Sequence, residues 1–246
     1  MAEEAANQYR TLRSDRIIKT ARTLRDRVIE RFPGAGLGGV CSELVAVAEE
    51  AQARAEDIAK PAWLLRGLVG LVLAAGLALL VTLAYLLLTG TRASDDLYGT
   101  LQGVDSAFNI VVLMGASLFF LVSLEDRRKR KLTLSALHEL RSIVHVIDMH
   151  QLTKDPSADM YLSSPTASSP ERKLKPHEML RYLDYCSEML SISAKVAAIY
   201  AQSYPDPVVT DGVSDIERTA TELSQKIWQK INITQRRIDS QGPQQS

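Results

Sequence analysis

Two uncharged apolar runs near the middle of the chain restrict what it can fold into more than any other feature. The run from Leu64 to Gly90 carries no charge after Arg66 and exceeds the roughly 20 residues that a helix needs to cross a bilayer. The run from Ala107 to Leu124 is also uncharged, and its length of about 18 residues falls within the spanning range. A buried core helix of a water-soluble protein is the plainer alternative for each. The expected fold is all-α, an integral membrane protein with a two-helix transmembrane hairpin. Spans are expected at about 64–90 and 107–124, joined by a short external loop, 91–106. Neither run reads as a signal peptide, because about 60 largely polar residues precede the first.

Positive charge near the spans sets the expected orientation, since Lys and Arg are retained on the cytoplasmic side. Lys60 and Arg66 flank the first run and Arg127, Arg128, Lys129, Arg130 and Lys131 follow the second, whereas the loop holds Arg92 against Asp95, Asp96 and Asp105. Both termini are therefore expected in the cytoplasm, with a bacterial inner (plasma) membrane as the location. Trp63, Tyr85 and Tyr98 suit interfacial positions. Cys41 and Cys186 then fall on a side where thiols stay reduced. The 29 basic and 29 acidic residues balance, which removes a whole-chain electrostatic reason to expect nucleic acid.

The remaining segments carry helical periodicity, and no convincing strand alternation appears. Residues 1–62 read as a cytoplasmic helical hairpin. A basic helix from Gln8 to Phe32, with Leu12, Ile18, Ala21, Leu24, Val28 and Phe32 on its apolar stripe, is followed by an acidic one from about Val40 to Ala59. The glycine-rich stretch Pro33 to Gly39 is the expected break. A phosphate-binding loop there would need a strand before it. Residues 125–239 read as a cytoplasmic helical domain, and 240–246 as a polar tail. Within that domain the second span continues as helix to about Leu152. A Ser- and Pro-rich flexible loop, 153–176, comes next, and then a helix from Lys175 or Pro176 to Ser203. A last helix is expected to open on a capping box, Ser214 to Glu217.

Titratable chemistry concentrates in His138, His145 and His150. His138 and His145 fall on one side of a helix, with Asp148 near them, and make the weak candidates for a metal site; His150 projects away from that pair. The plainer reading is a polar seam in which Arg141 and Asp148 pair with the histidines across a helix interface. No cofactor, catalytic residue or small-molecule substrate is indicated. In the first run Gly70, Ala74, Ala78 and Thr82 form a small-residue ladder that would let helices pack closely. It would meet either Gly115 and its neighbours within the hairpin or a second subunit. Asn109, Ser117 and Ser123 are the candidates to line a pore, should subunits form one. The function expected is non-enzymatic: a membrane scaffold, adaptor or assembly factor whose cytoplasmic helices make protein contacts. Its partners would be the bilayer and either further copies of itself or another membrane or cytoplasmic protein. A homo-oligomeric channel or pore-forming effector is the second reading, and a His-based metal or pH sensor the third.

Overall fold

A computed structural model of the chain describes residues 10–60, 63–89, 97–154 and 174–241. Among these, 92% are helical and none lies in a strand, so the fold class is all-α. The helices are α1 (Ser14–Arg31), α2 (Gly36–Ala59), α3 (Trp63–Thr89), α4 (Leu97–Leu152), α5 (Pro176–Ser203) and α6 (Pro207–Gln241). The chain divides into two compact units, one made of Met1–Ala59 with Leu132–Ser246 and the other of Lys60–Lys131. α4 runs unbroken through both and begins at Leu97, ten residues before the expected second span, so the later part of the expected loop 91–106 is helical and residues 90–96 lie outside the described residues. Most of the expected loop 153–176 and of the polar tail lies outside the described residues.

The larger unit is a helical bundle. α1 turns back onto α2 through residues 32–35, where Gly34 takes a positive φ of 76° that a side chain would resist. Arg22 Nη2 donates to Glu49 Oε1 at 2.8 Å across that pair, joining the basic helix to the acidic one. α2 begins at Gly36, four residues before the position expected from the glycine run. Gly36, Gly38 and Gly39 all lie in α2, and at the first two a neighbouring side chain leaves little room for a Cβ. A Cβ on Gly36 would come within 2.9 Å of His150 Cε1, and one on Gly38 within 3.2 Å of Ile29 Cγ1. The missing side chains permit close helix contacts here.

Cross-links set the directions of the helices. Gln202 on α5 exchanges two hydrogen bonds with the Leu12 backbone, Arg27 reaches Glu188 and Phe32 packs edge-on against Tyr182, so α1 and α5 run antiparallel. Arg54 binds Glu139 at 2.8 Å while Gly36 meets His150, which makes α2 antiparallel to α4. α6 runs parallel to the end of α4, with Gly212 against Leu137, Asp215 against Arg141 and Lys230 against Gln151. α5 is the central helix. Its Leu183, Cys186, Met189, Leu190, Val196 and Ala197 have no exposed surface, and it contacts α1, α2 and α6.

α6 starts at Pro207, seven residues before the expected capping box. Asp206 is the cap: its Oδ1 accepts from the Val208 and Val209 amides at 3.0 and 3.2 Å, and Pro207 occupies the first turn, where its missing N–H costs nothing. Tyr204-Pro-Asp-Pro207 therefore ends one helix and begins the next. Ser214 stands inside α6, exposed. Gly212 lets α6 approach α4 closely, since a Cβ there would press on Leu137 Cδ1 at 3.2 Å.

Candidate functional site

The unit Lys60–Lys131 has no buried residue among those described. Half-buried positions recur at helical spacing as Val69, Val72, Gly76 and Leu80 on α3, and as Ala107, Ile110, Met114 and Leu118 on α4. The two helices meet at Gly76, where a Cβ would collide with Met114. The remaining faces hold Leu71, Leu77, Val81, Phe108, Leu113, Phe119 and Phe120, all well exposed. By length and composition one helix among the described residues, within Leu101–Leu152, is long and apolar enough to cross a membrane. Its best 18-residue window has a mean hydropathy of 2.3 and is 0% buried. Gly67–Thr82 on α3 is a shorter apolar stretch.

The small residues singled out in the sequence sit on the outer side of this pair. Gly70, Ala74, Ala78 and Thr82 are exposed, and a Cβ at Gly70 or Gly115 would meet nothing within 4 Å. Gly76, which periodicity did not single out, makes the close approach to α4. It was discoverable, because it lies in phase with Val69, Val72 and Leu80. The candidate pore-lining groups are occupied locally: Asn109 Nδ2 donates to Asp105 Oδ2 at 3.3 Å and Ser117 Oγ to the Leu113 carbonyl at 2.8 Å. Ser123 is half-buried. Trp63, Tyr85 and Tyr98 are exposed.

In the bundle, the expected polar seam separates into different contacts. His138 and His145 face solvent. Arg141 pairs with Asp215 of α6, and Asp148 accepts from Gln151 Nε2 at 2.6 Å, so neither pairs with a histidine among the described residues. Among the described residues no three His, Cys, Asp or Glu side chains come together in a way that would hold a metal. His150 packs inward instead, with Nδ1 3.2 Å from the Tyr182 hydroxyl and its ring over Gly36. Burial and the nearby Lys154 charge hold His150 below the usual imidazole range, and burial raises the Tyr182 phenol. Lys230 donates to the Gln151 carbonyl at 2.9 Å and to its side-chain oxygen at 2.6 Å. That places a cation at the negative end of α4 and ties α6 to it.

Cys41 and Cys186 are free and fully buried. Burial pushes their thiols up to about 11 and about 12, far from the thiolate state that nucleophilic or metal chemistry requires.

Two grooves open beside α5, separated by Ser191 and Lys195. One, of about 560 Å³, is bounded by Leu12, Ala194, Ala198 and, on α6, Glu217, Thr221 and Ser224. The other, of about 410 Å³, is bounded by Arg16, Ile17 and Thr20 of α1 with Asp184, Ser187 and Glu188. The small side chains on α5 keep its outer face low between α1 and α6. No family model, curated protein or solved structure matches this chain.

Proposed function

We propose that the protein is a non-enzymatic, two-span membrane scaffold or adaptor. In this reading α3 and α4 form the transmembrane hairpin and the bundle stands in the cytoplasm with both termini. One observation carries the reading, the opposite placement of apolar surface in the two units. The bundle closes its apolar residues into a core, whereas the α3–α4 pair turns most of its Leu, Val and Phe outward, an arrangement stable against lipid and costly against water. The grooves along α5, with small residues on their floor and charged residues at their rims, are the surface proposed to receive a partner.

Topology is tested by labelling engineered cysteines with a membrane-impermeant maleimide. Ser94→Cys in the loop should react from outside intact cells, and Ser240→Cys only after permeabilisation. The buried, protonated Cys41 and Cys186 keep the background low. Reaction of both sites from the same side overturns the two-span reading.

A homo-oligomeric pore is the second reading, favoured by the outward placement of Gly70, Ala74, Ala78 and Thr82, where a neighbouring subunit could pack. Native mass in lipid nanodiscs separates the two. One or two copies support the adaptor, and a ring of about five or more supports the pore.

A further inference from the structure

Five cations follow the apolar stretch of α4, and the fold divides them into two groups. Lys129 Nζ pairs with Glu125 at 2.9 Å and donates to the Lys60 carbonyl at 3.3 Å, so it joins the entry to α3 with the exit from α4. Arg130 is half-buried and also engaged. Arg127, Arg128 and Lys131 are exposed, and none has an ion pair or hydrogen bond among the described residues.

These three share one face. At 100° per residue, Arg127, Lys131 and Arg128 stand at about 0°, 40° and 100° around the helix. Continued backward, the same arc contains Leu124 at about 60°, Phe120 at about 20° and Leu113 at about 40°, exposed by 46%, 64% and 67%. One side of a single helix thus passes from outward apolar residues to outward cations. The cations lie about 4 to 11 Å beyond Leu124 along the axis at 1.5 Å per residue. That matches the polar headgroup layer, roughly 5 to 8 Å thick, outside the hydrocarbon.

We propose that Arg127, Arg128 and Lys131 form a binding face for the phosphates of anionic phospholipids in the cytoplasmic leaflet. The proposal rests on α4 being a span. The apolar part of the face meets acyl chains, and the lipid phosphate then falls among three cations that pair with no carboxylate among the described residues. Two guanidiniums supply paired donors to phosphate oxygens, and the lysine supplies a point charge. Lys129 and Arg130 have contacts within the protein instead.

The test uses the full-length protein in nanodiscs of equal parts phosphatidylglycerol and phosphatidylcholine, with the retained lipids counted by native mass spectrometry. The wild type is expected to retain phosphatidylglycerol preferentially. Arg127→Gln/Arg128→Gln/Lys131→Gln should weaken that preference by about fivefold for each cation removed, while Arg127→Lys/Arg128→Lys should keep most of it. Equal retention of the two lipids by the wild type, or an undiminished preference in a folded triple Gln variant, overturns the proposal. If the triple variant fails to insert, loss of the wild-type preference on raising salt supports the proposal, and a salt-insensitive preference overturns it. The Ser94→Cys labelling is run on the same samples. Correct topology without lipid preference removes the lipid face and leaves the span standing, whereas failed topology removes both.

Discussion

The bundle and the α3–α4 pair are built from the same apolar residue types and place them oppositely. In the bundle Leu24, Leu44, Leu140, Leu183, Leu190 and Ile227 are shut away from solvent, and charged groups such as Arg22, Arg54 and Arg141 link helices at the surface. In the unit Lys60–Lys131 only one narrow stripe on each helix is even half-buried, and the aromatic and aliphatic bulk points away from the partner helix. The hydrophobic effect accounts for the first arrangement directly. The second is self-consistent only if something other than water covers the outer faces, and this contrast is the basis of the proposed span pair.

Truncation of a leucine in each unit should give the largest difference. Leu190→Ala removes a fully buried side chain from the central helix, and chemical unfolding followed by far-UV circular dichroism should show a loss of about 2 to 5 kcal/mol. Leu113→Ala, on the outer face of α4, should cost about 0.5 kcal/mol or less. A comparable loss at Leu113 would mean that its face is a protein interface rather than a lipid-facing one.

Next in size is the close approach inside the helix pair. Gly76→Leu must displace Met114 and should cost about 1 to 3 kcal/mol of helix-pair stability in an SDS titration. Gly70→Leu adds its bulk to open space and should be neutral in a monomer. A strong effect at Gly70 together with a fall in native mass would show that the ladder packs between subunits.

A smaller effect tests the bundle's local construction. Asp206→Ala removes the acceptor for two first-turn amides of α6 and should cost about 1 kcal/mol. Ser214→Ala, at a position that resembles a cap in sequence, should change stability very little by the same unfolding assay.

The last effect concerns acid. His150 is held below its ordinary value of about 6.5 by burial and by Lys154, so the folded bundle favours the neutral ring. Unfolding then takes up a proton as the pH falls below that value. His150's contribution is therefore complete above about pH 6.5 and is lost as the pH drops through the ordinary imidazole range. Replacing it with Gln should flatten the acid side of the bundle's stability profile over that window, and an unchanged profile would show that His150 is not the group responsible.

The helical class, the apolar stretches, the basic segment after Leu124 and the helix Pro176–Ser203 with its proline boundaries are legible in the residues alone. These are properties of composition and period along one helix, and they need no knowledge of a partner. Tertiary structure decided what each feature faces. Gly36 and Gly38 stand in a helix where His150 and Ile29 approach too closely for a Cβ, and Asp206 displaces Ser214 as the cap because α6 gains a further apolar turn, with Val209 and Val213 buried. Arg141 selects Asp215, a residue 74 positions away, over the histidines on its own helix. The phase of the α3–α4 contact likewise falls on Gly76 and Met114, leaving Gly70, Ala74, Ala78 and Thr82 outside. A one-dimensional pattern marks which positions share a face, but only packing against another helix decides whether that face is inside or out.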